Sequence, residues 1–144
     1  MKNYLPWKEE YRTGIKSVDS QHQQLFQIIN DLIGAIHDSN SSKEVLNKAI
    51  QKMMEYTEFH FKHEEEIFRA YQYPSADDHH QKHELFKKTV QDLFEKNQTQ
   101  EMMKTAVLAI LKDWWLKHIL VEDMTYAPFI KSKGEKIGLT EFDQ

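Results

Sequence analysis

The sequence predicts an all-α protein, an antiparallel up-down-up-down four-helix bundle with an N-terminal arm. Three observations lead there. Four long segments carry apolar or seam residues at alternating spacings of three and four. Only short polar breaks separate them, which makes consecutive helices antiparallel neighbours. Glycine (4) and proline (3) are scarce among the 144 residues, which argues against a turn-rich β-sandwich or a disordered tail. Seams of this spacing, sustained over 20 to 29 residues, imply helices that cross at shallow angles, as in a bundle.

Each element has its own signal. Residues 1–18 show no clear helical period, and Tyr4, Trp7 and Tyr11 are expected to pack along the bundle as an arm. The first helix, 19–38, sets His22, Leu25, Ile29, Leu32 and Ile36 on one stripe. Gly34 lies inside it and costs up to about 1 kcal/mol against Ala, so weakness is expected there. The run Ser39, Asn40, Ser41, Ser42 interrupts the pattern and can cap the second helix. That helix, 43–71, passes through Leu46, Ile50, Met53, Thr57, His60, Glu64, Ile67 and Tyr71. Pro74 ends the neighbourhood, and Ser75, Asp77 and Asp78 suit the start of a third helix. The third, 76–96, carries His79, His83, Phe86, Val90 and Leu93, and Asn97 to Thr99 form the next break. The fourth, 100–121, places Met103, Val107, Ile110 or Leu111, Trp114 and His118 on one face, before a C-terminal segment at 122–144. Trp115 is turned about 100° from Trp114 and is expected to line another contact. Met53, Met54, Met102 and Met103 read as core fillers. The whole chain, 1–144, reads as one domain.

Composition narrows the function. With 19 Lys+Arg against 23 Asp+Glu, the net charge of −4 argues against a nucleic-acid binder. Charges at Lys2, Lys8, Glu9, Glu10 and Arg12 argue against a signal peptide. No stretch approaches the roughly 18 apolar residues of a membrane helix, so no membrane insertion and a soluble cytoplasmic protein are expected. A chain of about 150 residues buries roughly 68–70% of its unfolded surface and needs no disulfide or metal merely to fold. Cysteine is absent, which excludes a disulfide framework, a thiolate zinc site and a cysteine nucleophile. Eight histidines stand against that absence.

Their positions matter more than their number. His22, His60, His79, His83 and His118 occupy core-facing stripe positions drawn from all four helices, and Glu64 follows His60 by one turn. Such groups are costly in a core unless paired, hydrogen-bonded or bound to metal. In an antiparallel bundle the starts of helices one and three lie beside the ends of two and four, so all six converge at one end. Ile29, Ile50, Val90 and Val107 leave the remaining interior apolar. Imidazoles and carboxylates without thiolate suit iron, manganese, zinc or copper. Five imidazoles exceed what one ion with an open position can use, whereas two ions sharing carboxylates would use them well. Glu64 is one bridging candidate. For the second acid, Asp123 lies five residues after His118, about 500° along an α-helix and so roughly 140° away from it. Glu122, four residues on, shares the face of His118, and spacing alone slightly prefers it. If Asp123 binds, the helix must end or distort between Ile119 and Asp123.

The full set, His22, His60-x3-Glu64, His79-x3-His83 and His118-x4-Asp123, resembles the ligand pattern of the hemerythrin family. The flanking residues agree: Trp7, Gly14-Ile15, Val18-Asp19-x-Gln21-His22, Tyr73-Pro74, Phe86, and Tyr126-Ala127-Pro128-Phe129. The resemblance runs from about Trp7 to Ile130 and is to the bacterial single-domain members, the bacteriohemerythrins. It implies a non-heme di-iron centre, two iron ions cycling between Fe2+ and Fe3+ with an oxo or hydroxo bridge. His79, His83 and His118 would hold one iron and His22 and His60 the other, which keeps an open position for O2. Glu64 and, on the family's spacing, Asp123 would bridge them, leaving Glu122 an exposed neighbour. Leu25, Phe61, Trp114 and Leu116 would line the O2 pocket, with Leu116 nearest the ligand.

The resemblance implies reversible O2 binding for oxygen storage, delivery or sensing, with no enzymatic activity. The chain would act as a monomer, with an oxygen-consuming enzyme as a recipient. Ferritin-like di-iron sites use more carboxylates and many of them activate O2. Here imidazoles replace most of that charge, and an apolar pocket denies bound oxygen a proton donor. The alternative is a di-iron enzyme scavenging peroxide or nitric oxide, which would need an acid or base in the pocket. Iron storage, a third reading, would need acidic entry channels. His37 near a helix end, the off-stripe His63 and His80, and the acids Glu65 and Glu66 read as solvated surface.

Overall fold

A computed structural model describes residues 4–96, 99–138 and 141–142 of the chain. Two residues of the break expected at Asn97 to Thr99, and part of the C-terminal segment, lie outside these. The architecture is helical, with α1 Lys16–His37, α2 Lys43–Tyr71, α3 Ala76–Glu95, α4 Gln100–Ile110 and α5 Met124–Lys136. A short 3-10 turn at Glu9–Tyr11 precedes α1. Helix α1 packs on α2, α2 on α3, and α3 on α4, giving the up-down-up-down bundle.

Local chemistry sets most helix starts. Asp19, in the first turn of α1, reaches back to accept from Thr13 N at 2.7 Å, Thr13 Oγ1 at 2.8 Å and Gly14 N at 3.0 Å. Gly14 sits at φ 87°, a left-handed conformation that other residues adopt only with strain. Ser42 Oγ accepts from Val45 N and Thr99 Oγ1 from Met102 N, each at 3.2 Å, satisfying otherwise orphaned N–H groups. Helix α2 ends with Gln72 in the left-handed region, so that Tyr73 N donates to the Phe68 carbonyl at 2.9 Å. Helix α1 runs unbroken past Gly34, whose nearest neighbour is the Tyr4 ring of the arm.

The last helix departs from expectation. Rather than ending near residue 121, helical backbone continues from α4 into α5 through two π-helical segments, Leu111–Trp115 and His118–Asp123. Each widens the turn from i→i+4 to i→i+5 hydrogen bonding. Pro128, with no N–H to give, cannot extend the second pattern onto the Asp123 carbonyl. The wider turns also move the seam. Leu111 and Trp115 are buried, whereas Ile110 and Trp114 are half-buried, so Trp115 is the core tryptophan. Met53 is a core filler, but Met102 is exposed.

Two apolar clusters result. The larger gathers Leu25, Ile29, Leu32, Leu46, Ile50, Met53, Phe61, Phe86, Val90, Val107 and Trp115, with Trp7 and Tyr11 of the arm against Phe26. The smaller, around Ile15, Val18, Phe68, Tyr126, Ala127, Ile130 and Phe142, closes the other end. Phe142 belongs to a returning tail that makes an isolated antiparallel bridge with Ile15. No helix among the described residues is long and apolar enough to cross a membrane.

Gly134 reports on that closure. A Cβ there would lie 1.8 Å from a Phe142 ring carbon. Gly134→Ala should therefore cost about 1–3 kcal/mol by overpacking, although Ala ordinarily gains about 1 kcal/mol over Gly in a helix. In a Phe142→Ala background the same change should become neutral or stabilising in urea melts. An equal loss in both backgrounds would refute the contact.

Candidate metal centre

Between the two apolar clusters lies a layer of buried polar side chains. Helix α1, held at its start by Asp19, presents His22. Helices α2 and α3 present His60 with Glu64 and His79 with His83, each pair one turn apart. The π-helical segment presents His118 and Asp123 from its two ends. The i→i+5 bonding of that backbone widens the turn, which brings closer to one face two side chains that an ordinary helix would splay apart. All seven are buried.

Their ligand atoms form two groups. Glu64, His79, His83 and His118 make one, and His22, His60, Glu64 and Asp123 the other; within each group the atoms lie within 4.8 Å of one another. Glu64 is common to both. Its Oε1 lies 3.2 Å from His83 Nε2, 3.4 Å from His60 Nε2, 3.6 Å from His118 Nε2 and 3.8 Å from His79 Nε2. Asp123 also spans the groups. Its Oδ2 is 2.8 Å from His22 Nε2, while Oδ1 is 3.0 Å from His118 Nε2 and 3.3 Å from His79 Nε2. Glu64 Oε1, both Asp123 oxygens and the Nε2 atoms of His79, His83 and His118 are buried without a well-directed hydrogen bond. Orphaned groups of this kind cost about 1–3 kcal/mol each. Cations accepting from all of them remove that cost, so the donor set fits a pair of metal ions.

A ring of outer contacts orients the imidazoles. His60 Nδ1 bonds Gln21 Oε1 at 2.7 Å and His83 Nδ1 bonds Glu65 Oε2 at 3.2 Å, each directing Nε2 inward. Tyr126 OH donates to Glu64 Oε2. Phe61 stacks on His83 at 3.7 Å between centroids and Trp114 on His118 at 4.5 Å. Leu25, Phe61, Trp114 and Leu116 belong to the large apolar cluster beside the layer, the first two buried and the last two half-buried.

The structure thus brings all seven sequence candidates together and turns Glu122 outward. Glu122 is half-buried rather than exposed, paired with Lys82. Two other expectations change. His63 is half-buried and bonded to Ser17 Oγ at 2.8 Å. Glu65 is no solvated acid: it holds His83 through one oxygen and His80 through the other. His37, His80 and Glu66 are exposed. Gln21 and Tyr126 belong to the flanking motifs, but periodicity assigns them no role, because their partners lie on other helices.

Comparisons with known proteins show a likeness along most of the chain. The family profile described as Hemerythrin HHE cation binding domain matches residues 13–130. Bacteriohemerythrin of Stenotrophomonas maltophilia (strain R551-3) is 27% identical over 128 residues, covering 89% of this chain and 82% of that protein. Bacteriohemerythrin of Clostridium acetobutylicum is 29% identical over 125 residues, covering 83% and 96%. A hemerythrin-like protein of Naegleria gruberi is 28% identical over 120 residues, covering 83% and 88%. A solved structure of a hemerythrin carrying a leucine-to-tyrosine substitution superposes with a TM-score of 0.76 at 22% identity, covering 90% of this chain and 98% of that one.

The electrostatics of the metal-free layer are unequal. Burial pushes His60 down to about 3, only partly offset by Glu64. Burial also opposes charge on His79 and His118, but Asp123 and Glu64 outweigh it and raise them to about 9 and about 10. Burial alone would raise the carboxyls of Glu64 and Asp123; the surrounding imidazoles hold both well below the usual range instead. At neutral pH, then, His79 and His118 carry protons that a metal must displace. Loading metal-free protein at pH 7 should release about two protons per chain, read with a pH indicator in weak buffer. The raised groups stabilise the metal-free fold fully below their ordinary 6.5, and that stability is lost as pH rises through about 9 to 10. Depressed His60 acts oppositely, its contribution falling away as pH drops from 6.5 toward about 3. Metal-free melting temperature should therefore fall on both sides of neutrality; a flat profile with no proton release would contradict this picture.

Proposed function

The chain belongs to the hemerythrin family, and from that premise we propose that its buried layer holds two iron ions and binds O2 reversibly. The observation that carries this reading is the division of the layer: three imidazoles on one side, two on the other, with Glu64 and Asp123 reaching both. On this reading His79, His83 and His118 would hold one iron and His22 and His60 the other, with Glu64 and Asp123 shared between them. Bound there, an iron pair would supply the two electrons that O2 binding requires and take them back on release. With two imidazoles rather than three, the His22 and His60 side would leave room for a small ligand.

What the remaining residues do supports binding over catalysis. Leu25, Phe61, Trp114 and Leu116, all of the large apolar cluster, would keep the space beside the ions apolar and poor in water. Among the described residues the only other buried carboxylate or imidazole is Asp19, and Thr13 and Gly14 occupy its oxygens. No spare acid is therefore available to protonate bound oxygen and drive O–O cleavage. Tyr126 is engaged with Glu64. Such a protein would store or deliver O2, or report its level.

Anaerobic reconstitution with Fe(II), followed by O2 exposure and removal, should give about two irons per chain and a coloured adduct that disappears on deoxygenation. Irreversible oxidation, or steady turnover of added peroxide or nitric oxide, would sink the carrier reading in favour of an enzyme. Asp123→Ala should cost the chain one iron while Glu122→Gln retains both. Leu116→Ala should autoxidise several-fold faster than the parent, as water gains entry; an unchanged rate would count against the pocket argument.

A further inference from the structure

The outer contacts of the two imidazole sets differ in charge. In the two-histidine set the acceptor on His60 Nδ1 is the neutral amide oxygen of Gln21, at 2.7 Å. In the three-histidine set the acceptor on His83 Nδ1 is the carboxylate of Glu65, at 3.2 Å. His22 Nδ1 and His118 Nδ1 are buried without a partner, so nothing on those rings cancels the difference.

Position makes the Glu65 contact effective. His83 is fully buried, and Phe61 covers its ring at 3.7 Å with the planes 6° apart. One edge of the imidazole therefore faces the layer and the other faces Glu65. The Glu65 side chain is 27% exposed, which screens its charge in part. Its second oxygen is engaged by His80, which fixes the carboxylate in place. A carboxylate accepting from an imidazole N–H strengthens the opposite nitrogen as a donor to metal, whereas an amide does so less.

We propose that Glu65 is a positioning residue that makes the three-histidine ion the more electron-rich of the pair and the easier to hold as Fe3+. The neutral Gln21 leaves the two-histidine ion, on whose open position O2 binding depends, the easier to return to Fe2+. This rests on the di-iron reading above. The asymmetry would favour oxidation that begins at the closed ion and reduction that restores the open one.

The test compares Glu65→Gln, which keeps the hydrogen-bonding shape and removes the charge, with Glu65→Ala, which removes both. Two readouts apply: Co2+ binding in competition with a chelator, and stepwise redox titration of the iron-loaded protein. Both variants should bind two Co2+ per chain, one of them about 10–100-fold more weakly than in the parent. In both, one of the two one-electron steps should move to higher potential by at least a tenfold change in its equilibrium, about 59 mV. Gln21→Glu should move a step in the opposite direction. If Glu65→Gln matches the parent in both readouts, whether or not Glu65→Ala is impaired, the charge of Glu65 plays no part and the proposal is overturned. Fewer than two Co2+ per chain in the parent protein would instead overturn the di-iron reading itself.

Discussion

Burying seven polar side chains of metal-ligating type in one layer is the constraint on which the rest of this structure depends. An isolated buried carboxylate or imidazole is expensive, and here two carboxylates and five imidazoles share one layer with few hydrogen bonds of their own. Such a layer persists only where the surrounding elements hold it in register. The i,i+4 pairs on α2 and α3 provide register along each helix. The π-helical segment provides it on the fourth, where an ordinary turn would aim His118 and Asp123 in different directions. π-helical turns inside α-helices are rare and frequently mark functional sites. This one has an evident task.

The closing apolar cluster follows from the same demand. Without it the layer would sit at the open end of a bundle, in reach of water. Instead α5, the Gly14 turn and the returning tail with Phe142 cover that end. Asp19 ties the turn to α1, three residues before His22 leaves the helix pointing inward. The absence of a Cβ at Gly134 lets Phe142 approach closely enough to complete the cover. Backbone details far from any ligand thus serve the dielectric environment of the layer.

Function follows from what surrounds the ligands as much as from the ligands. Five imidazoles against two carboxylates carry little net negative charge. The apolar flank offers no spare acid, and aromatic rings lie flat on His83 and His118. On the proposed reading, a metal pair held this way would exchange electrons with a small neutral ligand and recover them. The unequal partners of His60 and His83, an amide and a carboxylate, set the two sides of the layer apart in a way that ligand identity alone would not reveal.

Much of this was legible in the primary structure. Apolar period and polar breaks located the helices, since burial of one stripe is a local demand that the chain must write into its order. Histidines on four stripes point to one end of the bundle, because imidazole in a seam is costly without a partner. The choice between Asp123 and Glu122 was different. Spacing leaned to Glu122, resemblance to the hemerythrin family pointed to Asp123, and the wider turn at His118–Asp123 brings the Asp123 carboxylate among the imidazoles. The same widening moved the core tryptophan to Trp115. Glu65 reads as solvated from sequence for a related reason: its partner His83 lies 18 positions away on another helix. Periodicity reports which face of a helix is buried; only the packed structure decides what that face meets, because a non-ideal turn and a cross-helix hydrogen bond leave no period behind.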